Sequence, residues 1–360
     1  MAPDYRQHNP YQQLLCDGLS ELGVSVKFPK GYRRVLPLWR AVKETSPRVG
    51  VLHLHWQEAY IRRRDRFGMA VYALKLLVDL MCVKASGCRL VWTVHNELPH
   101  ESSWPALHRK VQTALGWLAD VVILHSQAAA LQMSDRLRLP EKEIRVIPHG
   151  HVRDFYGPPI EPGEARKLLG LPVDGKIYLN FGMVRPYKGI EELLTAWAAI
   201  ARDVDEGTLV IVGQPLDDEY ARRLRGLAEA SPRTTARFDY VQNDQVRLYF
   251  SAADFVVLPF RRALTSGSLL LALSYGVPVI APKFAFIREI AESDYLYDPA
   301  EPQGLADSLC RAGLIAKAQF RPAVGDSTAE LSWSAIASQT SRCYKVESQT
   351  ATPMAVLDGR

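Results

Sequence analysis

Short apolar runs alternate with helix-like segments along most of this chain of 360 residues. The runs at 51–55, 90–95 and 121–125 are each followed by a longer segment with apolar residues at helical spacing. Such alternation predicts parallel strands joined by helices that cover both faces of the sheet. After a stretch rich in Pro and Gly, residues 148–162, the pattern restarts at 177–181. Because the chain exceeds the usual length of one domain, we expect an α/β fold with two doubly wound, Rossmann-like halves.

The first half has an unusual beginning. Residues 1–10 are polar and predict a loop, although a doubly wound half normally opens on a strand. A helix is predicted over 11–22, and the alternating residues 24–28 (VSVKF) predict a short strand. The sequence leaves open whether the opening strand is truly absent.

Charge and cysteine content exclude several classes of protein. The chain has 44 Lys and Arg against 39 Asp and Glu, and a net charge of +5 is too small for a dedicated nucleic-acid binder. The five cysteines are scattered and form no C-x-x-C pair, so no disulfide framework or zinc site is predicted. No signal-peptide pattern is visible, and the longest apolar region, 67–83, is interrupted by Lys75 and Asp79. The expected location is therefore the cytoplasm.

Residues 178–197 (YLNFGMVRPYKGIEELLTAW) predict an anion-binding corner. A strand ends at Gly182, a short loop contains Arg185 and Lys188, and a helix begins after Gly189. Free backbone amides, the helix dipole and two cations together favour a diphosphate as the ligand. An ordinary loop with solvated cations is the alternative.

A second helix start of this kind lies in residues 254–282. An apolar strand is followed there by the small, polar turn Ser266, Gly267 and Ser268, which opens another helix. Its unpaired amides and hydroxyl groups also suit phosphate. Two such corners in one half favour a nucleotide diphosphate over a single phosphate.

Polar residues collect at the predicted carboxyl ends of the first half's strands and in the linker. Ligands of doubly wound sheets bind at this edge. A single histidine there is more often structural, but a group of titratable residues indicates a cleft. The residues at these strand ends and in the linker are His53, His55, Trp56, Glu58, His95, Asn96, His100, Glu101, His125, Ser126, His149, Gly150 and His151.

At this point the sequence resembles the two-domain GT-B glycosyltransferases, in the segments FGMVRPYKG, VIPHGHVRDF and LPFRRALTSGSLLLALSYGVPVIAP. It is also similar to the β-mannosyltransferase group of xanthan assembly, in NPYQQLL, VLHLHWQEAYIRR and TVHNELPHE. The resemblance implies transfer of a sugar, with mannose from GDP-mannose as the first expectation, to a lipid-linked or glycan acceptor. A nucleotide-sugar is then a substrate, and no cofactor is expected.

The resemblance also implies a domain organisation. An acceptor-binding domain is expected over 1–155 and a nucleotide-sugar-binding domain over 156–328. A crossover helix over 329–346 is expected to return to the first domain, and 347–360 to form a loose tail. The inward face of that helix is predicted to contain Leu331, Trp333, Ile336 and Ala337.

The chain departs from the retaining GT-B pattern at one place. Retaining members usually have two glutamates eight positions apart across the Ser/Gly turn, and the equivalent positions here are Ala263 and Leu271. This favours an inverting displacement, which needs a general base and positive charge for the leaving diphosphate. No metal is expected if Arg185, Lys188 and the amides of the Ser266–Gly267 turn stabilise that charge. A retaining transferase that uses a UDP-sugar, or a non-catalytic nucleotide-sugar or glycan-binding protein, is the alternative.

Four residues are candidates for the general base. They are Glu58, Glu101, His95 and His55, and the sequence does not separate Glu58 from His95. On the donor side, His149 and His151 are expected to line the site, and Tyr240 and Val241 to meet the nucleobase mostly through the backbone.

Two basic runs in the first half suggest a further partner. They consist of Arg62, Arg63, Arg64 and Arg66, and of Lys27, Lys30, Arg33 and Arg34. Such runs suit an anionic membrane surface, which would place the protein at the inner face of the cell membrane. A solvated basic face is the alternative.

Overall fold

The computed structural model describes most of the chain. The described residues are 1–6, 9–29, 35–61, 63, 65–97, 104–139, 143–201, 207–291, 294–314 and 331–345. The expected tail at 347–360 lies outside them.

The first half contains a parallel sheet of four strands in the order β1-β2-β3-β4. These strands are β1 (Val51–Leu54), β2 (Arg89–Thr93), β3 (Val121–Leu124) and β4 (Ile144–Val146). The helices of this half are α1 (Pro10–Glu21), α2 (Pro37–Glu44), α3 (Arg66–Ala85), α4 (Pro105–Leu118) and α5 (Gln127–Leu137). Their apolar side chains bury both faces of the sheet, because successive residues of a strand point to opposite sides.

The structure corrects the prediction for the beginning of this half. Residues 24–28 form no strand, although Val24, Val26 and Phe28 pack against the core. Alternation alone does not make a strand when no ladder partner is present. Ala2 forms a single parallel bridge with Leu54, so the opening residues lie against the edge of β1.

Helix α2 was not predicted from the sequence. The carboxylate of Asp79, in α3, accepts hydrogen bonds from the backbone amides of Leu38 and Trp39 at 2.9 and 2.8 Å. This tertiary contact satisfies the free amides at the start of α2 in place of a local cap.

The second half contains a parallel sheet of six strands in the order β10-β9-β8-β5-β6-β7. They are β5 (Ile177–Phe181), β6 (Thr208–Val212), β7 (Thr234–Arg237), β8 (Phe255–Val257), β9 (Val279–Pro282) and β10 (Leu296–Tyr297). The helices are α6 (Arg153–Tyr156), α7 (Pro162–Leu169), α8 (Ile190–Ile200), α9 (Asp218–Glu229), α10 (Asn243–Ala252), α11 (Gly267–Ser274), α12 (Ala285–Ile290) and α13 (Gly304–Gly313). The edge strand β7 was missed because its residues are polar and only half-buried.

The last described helix, α14 (Trp333–Tyr344), crosses back to the first half as predicted. Trp333, Ile336 and Ala337 form its buried face, while Leu331, just before the helix, is only partly buried. The indole of Trp333 donates to the carbonyl of His151 at 2.6 Å. A β-carbon at Gly18 in α1 would lie 2.8 Å from the carbonyl oxygen of Trp333, so α1 and α14 pack closely.

The two halves meet at the carboxyl ends of their sheets. The hydroxyl of Thr265, after β8, donates to the carbonyl of His95, after β2, at 2.9 Å. Leu264 is buried in the core of the first half. The carboxylate of Glu289 accepts from the amides of Gln127 and Ala128 at the start of α5.

Within the described residues, no helix has the length and apolar character needed to cross a bilayer.

Candidate active site between the two halves

The loops after β5 and β8 meet where the strand order of the second sheet reverses. The chain runs outward from β5 through β6 and β7, then returns to the other side of β5 as β8. Ligands of doubly wound sheets bind at the carboxyl ends of the strands at such a reversal. Lys188 lies in the short turn Pro186–Lys188 after β5, and Ser268 lies in the first turn of α11.

Lys188 is buried in this corner. Its ammonium nitrogen donates to the hydroxyl of Ser268 at 3.3 Å, and that hydroxyl donates to the carbonyl of Phe181 at 2.7 Å. Burial, with a smaller contribution from the charge of Arg185, lowers the pKa of Lys188 to about 8. Since none of the described carboxylates pairs with Lys188, an anionic ligand would supply the missing counter-charge.

Gly182 keeps the corner open at the end of β5. Its φ is +116°, a conformation that side chains rarely adopt. A β-carbon there would lie 2.7 Å from the hydroxyl oxygen of Ser268 and 3.1 Å from the ammonium nitrogen of Lys188. Glycine therefore leaves room next to both groups for a ligand to approach the backbone.

Arg185 lies beside this corner but is oriented along the loops. Its guanidinium donates to the carbonyls of Val184 and Gln214 at 3.0 and 3.4 Å. The structure thus holds Arg185 across the loops after β5 and β6, whereas Lys188 is held against Ser268. The charge of Arg185 nevertheless adds to burial, the larger cause, in lowering the pKa of Lys188.

At the start of α11, the Ser266 hydroxyl already has a hydrogen-bond partner, whereas the first backbone amides have no acceptor within the helix. The hydroxyl of Ser266 accepts from the amide of Leu269 at 3.2 Å and caps the helix. Gly267 is exposed, and its first-turn amide has no intrahelical acceptor. The backbone of this turn, more than the Ser266 side chain, is therefore available to an anion.

Ala263 and Leu271 occupy the two positions at which retaining members usually have glutamates, and both pack against apolar side chains. Leu271 is buried in the core of the second half, and Ala263 packs partly against the same core. Neither can place a carboxylate in the cleft. Tyr240 is 55% exposed, while Val241 packs against the core, so the Tyr240 side chain is accessible for stacking on a base.

Glu58 lies in a short 3-10 turn directly after β1. The side chain of Asn96 and the backbone amide of Glu58 both favour the ionised form of its carboxylate. Burial nevertheless raises the pKa of Glu58 above its usual value. A carboxylate with a raised pKa is a stronger proton acceptor once ionised.

His95 is held on three sides next to Asn96. Its ring stacks on Trp56 with centroids 4.2 Å apart, and the edge of Tyr11 approaches at 4.9 Å. Its Nε2 atom lies 3.0 Å from Nδ1 of His55, so one ring donates to the other. Burial holds the pKa of His95 well below its usual value, which leaves the imidazole neutral at physiological pH.

The histidines gather around a residue that the sequence did not single out. Tyr11, on α1, contacts the rings of His55, His95, His125 and His149. Its position depends on how α1 lies across the sheet, which helical spacing does not reveal. The sequence placed Trp56 and Thr265 at strand ends, but it did not predict their contacts with His95, because these contacts join distant segments.

The linker histidines lie in different surroundings. His149 donates to the carbonyl of Gly150 at 2.8 Å and packs against Tyr11, so it belongs to the histidine group of the first half. His151 lies near Asp154, with 3.8 Å between nitrogen and oxygen. Their predicted role in donor binding remains a prediction.

Two sequence features lie outside the described residues. Glu101, a candidate base, is one of them, as is the neighbouring His100. The other is an acidic D-x-D triplet at 203–205, whose residue type can bind metal.

Family models match both halves of the chain. Residues 15–154 match the family described as Glycosyltransferase Family 4, and residues 175–312 match Glycosyl transferases group 1. Glu58 and His95 fall within the first match, and Lys188 and Ser268 within the second.

Two relatives from Xanthomonas campestris are named GDP-mannose:glycolipid 4-beta-D-mannosyltransferase. One is 31% identical over 288 residues, which is 79% of this chain and 72% of the relative. The other is 30% identical over 278 residues, with 76% and 70% covered. A D-inositol 3-phosphate glycosyltransferase from Corynebacterium glutamicum is 27% identical over 240 residues, with 63% and 57% covered.

Two solved structures show a similar fold over most of this chain. Sucrose-phosphate synthase from Thermosynechococcus elongatus has a TM-score of 0.68 at 20% identity and covers 93% of this chain and 92% of its own. Anabaena Alr3699/HepE, in complex with UDP and glucose, has a TM-score of 0.62 at 19% identity, with 92% and 85% covered. At these identities the likeness concerns the fold alone.

Proposed function

Because this chain belongs to the GT-B glycosyltransferases, we propose that it transfers mannose from GDP-mannose to a lipid-linked or glycan acceptor in polysaccharide assembly. The names of the two Xanthomonas relatives support GDP-mannose as the donor and a glycolipid as the acceptor. The observation on which the proposal rests is the buried Lys188 ammonium at the strand reversal, held by Ser268 without a carboxylate partner among the described residues.

The proposed reaction is a single displacement at the anomeric carbon with inversion of configuration. Lys188 and the first amides of α11 would stabilise the departing diphosphate, which makes a metal ion unnecessary. The apolar residues Ala263 and Leu271 support inversion, because a retaining site of this fold family would need carboxylates there.

Glu58 is the general base in this proposal. It would take the proton of the acceptor hydroxyl as that oxygen attacks the sugar. His95 is a weaker choice, because its buried imidazole has a pKa far below neutrality and so binds a proton poorly. His95 would instead contact the acceptor as a neutral hydrogen-bonding group, with His55 holding its ring in place.

A calorimetric titration with GDP, UDP, ADP and TDP tests the donor. We expect GDP to bind at least about tenfold more tightly than UDP, because a site that contacts guanine would lose part of those contacts with the smaller uracil. Equal affinities for GDP and UDP would count against the donor assignment.

The reaction itself is tested with GDP-mannose and a lipid-linked oligosaccharide in the presence of EDTA. A β-linked product by NMR, formed at an undiminished rate, is the expected result. An α-linked product would indicate retention, and loss of activity on chelation would indicate a metal. Tight GDP binding without transfer or donor hydrolysis would identify a non-catalytic binding protein.

A lipid-linked acceptor also implies where the protein works. We propose that it acts in the cytoplasm at the inner face of the cell membrane, attached through its first half. The basic residues near the start of α3 support this, since they suit anionic lipid headgroups.

A further inference from the structure

The outer face of α3 is apolar along most of its length. Phe67, Val71, Leu74 and Met81 are 80, 46, 64 and 47% exposed. Val78, between them, is half-buried. At 100° per residue these five positions form one stripe that runs about 21 Å along the helix. We call these five residues the α3 stripe.

The opposite face of α3 is also apolar and is buried in the core of the first half. Ala73, Leu76, Leu80 and Val83 are buried against the first sheet. A helix with apolar residues on two opposite faces is normally enclosed on both by protein or lipid. Because the sheet covers one side of α3 only, the α3 stripe needs a partner outside the described fold.

The charges around the α3 stripe indicate which partner it fits. Helices α3 and α4 pack on the same face of the first sheet, so their outer faces point the same way. Together the two helices contain one carboxylate, Asp79, which is buried and holds the start of α2. Arg109 and Lys110 are exposed on α4, and Arg66 is exposed at the start of α3.

Cations predominate around the α3 stripe, although two exposed carboxylates lie on neighbouring segments, Asp65 as the cap of α3 and Glu44 at the end of α2. This balance of charge matches a bilayer with anionic headgroups. The apolar side chains would enter the acyl boundary while the cations meet lipid phosphates. Trp117, 61% exposed on α4, has the amphipathic ring that favours this depth. A second copy of the chain on this face would bring the same cations against each other, which is unfavourable.

We propose that the α3 stripe, with the cations of α4, is the surface by which this protein lies on an anionic lipid bilayer. This surface specifies how the first half would attach to the membrane. It rests on the proposed function only for the reason why the protein would bind a membrane at all. The contact requires neither the donor nor the acceptor.

Sedimentation with nucleotide-free protein tests the proposal. The vesicles contain either phosphatidylcholine alone or equal parts of phosphatidylcholine and phosphatidylglycerol. We expect the native chain to bind the second kind and to be released by high salt. Leu74→Glu should lower its partition onto them at least about tenfold, because a buried leucine side chain is lost from the acyl boundary.

Matched controls separate this surface from general effects. Leu168, on α7 in the second half, is 63% exposed, so Leu168→Glu adds the same charge at an equally exposed leucine and should leave binding unchanged. Lys110→Glu should lower partition at least about fivefold on the anionic vesicles, while Lys167→Glu on α7 should have a much smaller effect. The far-UV circular dichroism spectrum and the melting temperature should be native in all four variants, which shows that they fold.

Three outcomes would overturn the proposal. One is a native chain that binds neither kind of vesicle, or binds both kinds equally with no effect of salt. Another is equal loss of binding in Leu74→Glu and Leu168→Glu. The third is a native dimer by light scattering that Leu74→Glu converts to a monomer, since the stripe would then belong to a second copy. Since no nucleotide is present, these results are independent of the GDP-mannose assignment.

Discussion

The hydroxyl of Thr265 donates to the backbone carbonyl of His95 across the junction of the two halves, at 2.9 Å. Thr265 directly precedes the Ser266 turn of the proposed donor site, and His95 directly precedes Asn96, whose side chain favours the ionised form of Glu58. One contact therefore joins the segment that would hold the leaving group to the segment that would hold the base. An inverting displacement requires these two functions on opposite sides of the reacting carbon.

Replacing Lys188 tests the leaving-group site. We expect Lys188→Met to weaken GDP binding by about 2 kcal/mol, roughly thirtyfold, because a charged hydrogen bond to phosphate is lost. Calorimetry measures the effect, with Lys167→Met as a control at an exposed lysine of the same half. Equal affinity in the Lys188 variant and the native chain would contradict the phosphate assignment.

The affinity for GDP should depend on pH through the same lysine. Its pKa in the free protein is about 8, so above that pH the ammonium loses its proton and must regain it to bind a diphosphate. We expect the dissociation constant to rise above pH 8, by up to about tenfold per pH unit. A phosphate group is already fully ionised in this range. The Lys188→Met variant should show a flat profile, and parallel profiles would exclude Lys188 as the titrating group.

Glu58→Gln should remove turnover but not donor binding. The amide is close in shape to the carboxylate but cannot accept the acceptor's proton, so we expect kcat to fall by about 10² to 10⁴. The native kcat/KM should decline on the acidic side at a pH above the usual glutamate range, because burial raises the pKa of Glu58. His95→Gln serves as the comparison. If it abolishes turnover while Glu58→Gln does not, the roles of the two residues are reversed.

The sequence predicted the architecture better than the inner contacts of the site. Apolar runs and glycine stops identified the strands on which Lys188 and Ser268 depend, because these signals are local. Helix α2 was missed because Asp79, on another helix, supplies its cap. Residues 24–28 were wrongly predicted as a strand because periodicity does not show whether a ladder partner exists. The ring contacts of Tyr11 depend on how α1 packs, for which no sequence signal was available.

The buried histidines should make the fold sensitive to acid. Burial lowers the pKa of His53 and His149 to about 3 and that of His125 to about 4. The unfolded chain therefore binds more protons than the native chain from the usual histidine value near 6.5 downward, and stability is lost as pH falls below it. The free energy of unfolding, measured in urea, should fall steeply as the pH is lowered from 7 to 4.

One variant isolates a single histidine of this group. The Nδ1 atom of His125 donates to the carbonyl of Ile147 at 2.9 Å, and Nε2 makes no hydrogen bond among the described residues. In His125→Asn the amide can keep the donated bond but cannot titrate. The slope of unfolding free energy against pH should decrease by about 1.4 kcal/mol per pH unit, which corresponds to one proton. Identical slopes would show that His125 does not change its protonation on unfolding.

Gly182→Ala should damage the donor corner while sparing the fold. The added β-carbon would lie 2.7 Å from the hydroxyl of Ser268 and 3.1 Å from the nitrogen of Lys188, on a backbone with φ of +116°. Both side chains must then shift, so we expect GDP affinity to fall at least about tenfold, as for a displaced charged hydrogen bond. Gly226→Ala is the control, because nothing lies within 4 Å of its added β-carbon and its helical position favours alanine. That variant should bind GDP normally and unfold at a slightly higher temperature. Native GDP affinity in Gly182→Ala would mean that the ligand does not approach the space beside Lys188 and Ser268.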